Sequence, residues 1–283
     1  MLIQITNTCD YYCKHCLQCS VREEQHMSDG LFNNAVQFAR MSGSNFVILS
    51  GGEPTMHPNW YTYVDTLCSG VDYYRPVVML ATNGKWLGTD DDEHKIRSLC
   101  DKHSNFVVQV TAVKGIYKDY DKTVRNYHSF KGMLINPEQI VLASQIEAMV
   151  SLGRANNDKQ CSKLAEGNNR KMMSCFTAAL VNAQTKDYEE TIRILEDKSK
   201  FCHPLVDWKG GVHWSESWLC PAFYTIPGHL LLDLPMYKCI AEAAHAWRPC
   251  GACPDYQKLL KNNYPLYVLA KHILGIPQIL GEE

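Results

Sequence analysis

The sequence predicts an α/β fold, a partial (β/α)6 TIM-like barrel followed by a small C-terminal cysteine-rich domain. Three observations predict it. Short apolar runs alternate with segments of helical period over the first half. Residue types suited to chemistry follow the first three of those runs, and the cysteines gather in two groups, one towards each end of the chain.

Leu2 to Thr6 reads as a strand, and Ser28 to Met41 carries Leu31, Phe32, Ala35, Val36 and Ala39 at helical spacing. Phe46 to Leu49 is a second apolar run, so one strand, helix, strand unit is complete. Trp60 to Leu67 then reads as a helix, Val77 to Ala81 as a strand, Asp90 to Cys100 as a helix with acidic residues in its first turn, and Phe106 to Val113 as a strand. Tyr117 to Phe130 continues as a helix. Gln139 to Ala143 and Glu147 to Leu152 supply fifth and sixth strands. Beyond Gly153 the chain turns polar through Asn156, Asn157 and Asp158. From about Phe201 it consists of short segments broken by Gly210, Gly211, Gly228 and prolines, ending in a helix-like tail from Tyr264 to Leu274. A boundary between about 160 and 200 follows, drawn as residues 1–185 for the barrel and 186–283 for the second domain.

At 283 residues the chain can bury a sizeable core without disulfide staples. A formal charge of −2 lacks the basic excess expected of a protein that grips nucleic acid through phosphates. No apolar run reaches the roughly 20 residues of a membrane span, and Met1 to Thr6 carries no basic leader, so a cytoplasmic protein is expected. In that compartment 13 cysteines, an odd number, point to metal or redox chemistry. Cys68, Cys100, Cys161 and Cys175 lie outside both groups and read as small buried hydrophobes.

Cys9, Cys13 and Cys16 follow the first strand directly, at the end where barrel enzymes build their active sites. Soft thiolates so close together select an iron–sulfur cluster, zinc or copper(I), and Cys19 leaves a closed zinc tetrahedron open as a reading. Ser50, Gly51, Gly52, Glu53 and Pro54 follow the second strand, and Thr82, Asn83 and Gly84 the third. Paired glycines let a ligand approach the backbone, and the adjacent carboxylate suits an ammonium group.

CDYYCKHC together with GGEP resembles the radical S-adenosylmethionine superfamily over about residues 1 to 155. The resemblance implies that Cys9, Cys13 and Cys16 hold three irons of a four-iron, four-sulfur cluster, whose fourth iron takes the amino and carboxylate groups of the cofactor's methionine. It implies that Gly51, Gly52 and Glu53 hold the methionine amino group, with His15 against the adenine. Asn83, Gln109, Thr111 and Ser144, at or near predicted strand ends, and Arg154 are further cofactor contacts by the same resemblance.

In the second group, Cys202 and Cys220 flank a predicted hairpin turning at Gly210 and Gly211, and Cys250 and Cys253 form a close pair. Two separated pairs enclose either zinc or an iron–sulfur cluster. The layout resembles the Twitch domain, the shortened relative of SPASM. It implies one auxiliary four-iron, four-sulfur cluster on Cys202, Cys220, Cys250 and Cys253, accepting the second electron of an oxidation; Cys239 is left without a role. The expected function is hydrogen abstraction from a peptide or small polar substrate, with electrons from a reductase, flavodoxin or ferredoxin. No winged-helix segment precedes Cys9, which tells against direct peptide recognition by this chain. The rival from another class is a non-enzymatic zinc or iron–sulfur electron-transfer protein.

Overall fold

A computed structural model describes residues 1–13, 16, 18–70, 73–117, 119–144, 204–213, 222 and 224–246. The first half alternates as expected: β1 (Leu2–Thr6), α1 (Asp29–Met41), β2 (Phe46–Gly51), α2 (Trp60–Ser69), β3 (Val77–Thr82), α3 (Asp90–Lys102), β4 (Phe106–Thr111), α4 (Tyr120–Lys131) and β5 (Ile140–Ala143). Three short strands follow, β6 (Leu205–Val206), β7 (Gly211–His213) and β8 (Tyr224–Thr225), and then α5 (Leu234–Ala246). Among the described residues they form one sheet in the order β5-β4-β3-β2-β1-β6-β7-β8. Every pair from β5 to β6 is parallel, and β6, β7 and β8 are antiparallel. The predicted sixth strand, Glu147 to Leu152, lies outside the described residues.

One face of the sheet is the core. Ile3, Ile5, Val47, Leu49, Val78, Leu80, Val108 and Ile140 are fully buried, together with Phe32, Ala35, Val64, Ile96, Leu99 and Phe130 from the helices. Each such aliphatic or aromatic side chain removed from water contributes about 1.5–3 kcal/mol. Helix α1 begins where Ser28 accepts the Leu31 N–H at 3.3 Å, with Asp29 in its first turn and Arg40 in its last, both favourable to the helix dipole. Four acidic residues open α3, and Lys95 meets Asp91 one turn on at 2.6 Å. Period-2 burial in β2, β3 and β4 leaves Ile48, Met79 and Val107 level with one another on the opposite face.

Two expectations are corrected. Strand β4 stops at Thr111 and not Val113, because the chain turns there: the N–H groups of Ile116 and Tyr117 both return to the Val113 carbonyl. The tract after Phe201 holds a helix of 13 residues, α5, where its prolines read as breakers. Pro235 is the second residue of α5, where a missing N–H costs nothing, and Asp233 accepts the Met236 N–H at 2.8 Å. The expected hairpin at Gly210 and Gly211 is present. The Asp207 carboxylate caps it, accepting the N–H groups of Lys209 and Gly211 at 2.8 and 2.9 Å and His213 Nε2 at 2.9 Å. Burial works against the Asp207 charge, yet these donors hold its carboxyl below the usual range.

Asn34, buried on α1, joins this later segment to the first half. Its amide donates to the carbonyls of Pro227 and Leu230 at 2.7 and 2.5 Å and accepts the Leu232 N–H at 2.9 Å. Asn34→Ala orphans three backbone groups, so denaturant titration should show a loss of about 1–3 kcal/mol; an unchanged midpoint contradicts this role.

Candidate metal and cofactor site

Parallel pairing brings the C-terminal ends of β1 to β5 to one edge of the sheet, and the chemistry-bearing loops gather there. The loop after β1 is closed at its base by backbone bonds from Cys9 N to Val21 O at 2.7 Å, Val21 N to Asn7 O at 3.1 Å and Asn7 N to Gln25 O at 2.8 Å. Thr6 Oγ1 accepts the Thr8 N–H and lies 2.8 Å from His26 Nδ1, while Thr8 Oγ1 accepts the Gln25 N–H. Cys9 is buried, Cys13 and Cys16 are half-buried, and Cys19 is exposed in the left-handed region, φ 50°. Cys16 N donates to Cys13 O at 3.2 Å, and Cys16 Sγ receives the Ser20 N–H at 3.4 Å. Burial pushes the Cys9 thiol up to about 12; the Tyr11 backbone bond opposes this, and the negative charges of Glu53, Asp10 and Cys13 add to it. A bound cation reverses that balance.

Gly51 and Gly52 lie directly on this loop. A Cβ at Gly51 would strike the Thr6 carbonyl, and one at Gly52 the carbonyls of Asn7 and Thr8. Only glycine lets the two backbones approach closely enough for Gly52 N to reach Thr6 O and Glu53 N to reach Thr8 O, each at 2.8 Å. The pair is therefore needed for loop packing, whatever ligand binds.

Glu53 is the hub. Its buried Oε1 accepts the Thr55 N–H at 3.2 Å and the hydroxyls of Thr55 and Thr82 at 2.7 Å, and Oε2 accepts the Asn83 N–H at 2.7 Å. Oε1 is saturated by three donors, while Oε2 has one among the described residues and keeps acceptor capacity. Burial holds this carboxyl above its usual range, although the four donors oppose the shift in part. His57, just beyond, accepts the Asn59 N–H at Nδ1 (3.0 Å), so its Nε2–H donates to Met27 O at 2.9 Å. This neutral imidazole ties the β2–α2 connection to the start of α1.

The two residues following Cys9 make contacts the sequence did not foretell. Asp10 accepts Asn83 Nδ2 at 3.2 Å and pairs with Lys85 Nζ at 2.5 Å, while Asn83 Oδ1 accepts the Lys85 N–H at 2.8 Å. Tyr11 packs edge-on against Tyr117, ring centroids 5.9 Å apart, and donates to Asp119 at 3.3 Å. Tyr117 is driven far above the ordinary phenol range by burial and by the negative charges of Cys13, Glu53, Cys9 and Cys16.

Ser50 and Gln109 share one row on the face opposite the helices: Gln4 pairs with Ser50, and Ala81, level with Ser50, pairs with Gln109. Thr111 pairs with Ala143 one step nearer the edge, and Ser144 beyond it is exposed. Gln4, fully buried in that row, escaped the sequence reading; its Nε2 reaches Gln18 Oε1 at 3.4 Å, and its Oε1 has no partner among the described residues. Polarity in the middle of an apolar strand was the available signal. His15, Arg154, Cys202, Cys220, Cys250 and Cys253 lie outside the described residues, as do Cys161 and Cys175. Cys68 and Cys100 are each 2% exposed, in keeping with packing roles, and Cys239 is exposed on α5.

Among the described residues no three Cys, His, Asp or Glu side chains converge as donors to a single ion. Thiolates that each bind a different iron of a cluster have no need to converge on one point. The donor chemistry of Cys9, Cys13 and Cys16, the closed loop base and the N–H directed at Cys16 Sγ fit an iron–sulfur cluster.

No family model and no curated protein matches this sequence. Solved structures do. SuiB of Streptococcus suis, bound to the precursor peptide SuiA, is 12% identical with a TM-score of 0.51, covering 94% of this chain and 73% of its own. The likeness shows a shared fold. Also similar are anSMEcpe with bound AdoMet and the Cp18Cys peptide, at 13% identity, TM-score 0.49 and coverage of 96% and 99%, and BtrN in complex with AdoMet and 2-DOIA, at 14%, 0.48, 93% and 87%. No described helix is long and apolar enough to cross a membrane.

Two outcomes are expected. Glu53→Gln turns an amide NH2 towards protein donors, and denaturant titration should show a loss of about 1–3 kcal/mol. Burial lowers the His57 value, so the folded chain binds fewer protons than the unfolded one. Its contribution to stability is full above about pH 6.5 and falls as pH drops below that, until the depressed folded value is reached. The change in denaturation midpoint between about pH 8 and about pH 5 should shrink in His57→Asn.

Proposed function

We propose that this chain is a radical S-adenosylmethionine enzyme acting on a peptide or small polar substrate. The observation that carries the reading is the seating of the cysteine loop on Gly51, Gly52 and Glu53 at the C-terminal ends of β1 and β2. In this reading Cys9, Cys13 and Cys16 hold three irons of a four-iron, four-sulfur cluster. Bound there, a reduced cluster would supply the single electron that cleaves a carbon–sulfur bond of the cofactor's sulfonium, the chemistry that permits hydrogen-atom abstraction from an unactivated substrate carbon.

The chain's own residues bind and orient. Glu53 Oε2, with acceptor capacity remaining, would accept from the methionine ammonium. Ser50, Gln109 and Thr111 offer hydroxyl and amide contacts along one face of the sheet and Ser144 a hydroxyl just past β5, with Asn83, His15 and Arg154 as further cofactor contacts. The SuiB likeness supports the fold, and its precursor peptide favours a peptide substrate here. Cys202, Cys220, Cys250 and Cys253, in a C-terminal domain from about residue 186, hold one auxiliary cluster that takes the second electron. The six-unit barrel, a cytoplasmic location and a flavodoxin, ferredoxin or reductase donor belong to the same proposal.

Anaerobically prepared protein should be brown, carry about eight irons if both clusters are four-iron, and form 5′-deoxyadenosine on reduction. Cys9→Ala, Cys13→Ala and Cys16→Ala should each abolish that product while the distal iron remains. Colourless protein with stoichiometric zinc and no product would instead favour a non-enzymatic zinc protein.

A further inference from the structure

Asp10 stands immediately after Cys9, inside a loop of thiolates, where another negative charge is electrostatically unwelcome. It is held by two partners on the β3–α3 connection: Lys85 Nζ at 2.5 Å on Oδ2 and Asn83 Nδ2 at 3.2 Å on Oδ1. Asn83 is in turn fixed at both ends. Its N–H is bound by Glu53 Oε2, and its side-chain oxygen accepts the Lys85 N–H, which fixes the turn that carries Lys85. Lys85 Nζ also stands 5.7 Å from the centre of the Tyr11 ring, so one cation meets both residues that follow Cys9. The Asp10 side chain is a quarter exposed and that of Lys85 about half, so the pair contributes little to stability. Its place beside Cys9 gives it a different use.

We propose that Asp10 and Lys85 are positioning residues that seat the cysteine loop and set the electrostatic balance around the metal group it holds. The inference rests on the cluster reading of Cys9, Cys13 and Cys16. A reduced cluster carries one more negative charge than an oxidised one, so a nearby carboxylate opposes reduction and a nearby ammonium favours it. The paired side chains nearly cancel. Removing either should shift the cluster's midpoint potential, in opposite directions.

The test is an anaerobic, dye-mediated potentiometric titration of the full-length holoprotein, monitored by electron paramagnetic resonance. Asp10→Asn, which keeps the shape and an acceptor for Asn83, should raise the midpoint. Lys85→Met should lower it, Lys85→Arg should restore it, and Asp10→Asn/Lys85→Met should lie near wild type. Both single shifts should shrink at high salt, because the pair is partly exposed. Shifts of the same sign, or none, in protein that retains wild-type iron overturn the inference alone. Wild-type protein with no reducible cluster overturns the function proposed above, and this inference with it. Loss of iron in both single variants but not in the double variant would uphold the seating role.

Discussion

The buried carboxylate of Glu53 is the constraint on which the rest of the site depends. Taking a carboxylate out of water costs several kcal/mol unless hydrogen bonds replace its hydration. Here the replacements are a backbone N–H and a hydroxyl from its own 3-10 turn, a hydroxyl from the last residue of β3 and the N–H that follows it. The group can be satisfied only when the loops after β2 and β3 are both in place. Since Glu53 N also bonds Thr8 O, the loop after β1 is fixed by the same residue. A buried carboxyl group thereby ties three loops into one hydrogen-bonded platform.

The platform gives the cysteine loop its shape independently of any metal. Cys9 is pinned through Val21 at the loop base, and Asp10 and Tyr11 reach outwards to the connections after β3 and β4. Binding of the proposed cluster would then order fewer residues than it would in a floppy loop, and less affinity would be lost to conformational entropy. Among the described residues of the loop, Tyr12, Cys19, Arg22, Glu23 and Glu24 are exposed.

Much of this was legible in the sequence, and the missing parts share a physical reason. Strands β1 to β5 and the helices between them carry strong period-2 or helical patterns, and the structure reproduces their boundaries closely. The pairing of Gly51 and Gly52 beside a cysteine trio marked a close approach, though sequence alone could not say that the approaching group is the chain's own Thr6, Asn7 and Thr8 carbonyls. Strands β6 and β8 are two residues long and show no period, so their addition to the free side of β1 was invisible. Asp10 and Tyr11 looked like spacers because their partners, Asn83 and Asp119, lie 73 and 108 residues away.

In the proposed function the chemistry turns on a thiolate count of three, which would leave one iron of a four-iron cluster open to a small ligand. Electron–nuclear double resonance on the reduced protein, with S-adenosylmethionine labelled with nitrogen-15 at its amino group, examines that open iron directly. A hyperfine coupling between the cluster and the labelled nitrogen is the expected result. A cluster capped by Cys19 and showing no coupling would contradict it.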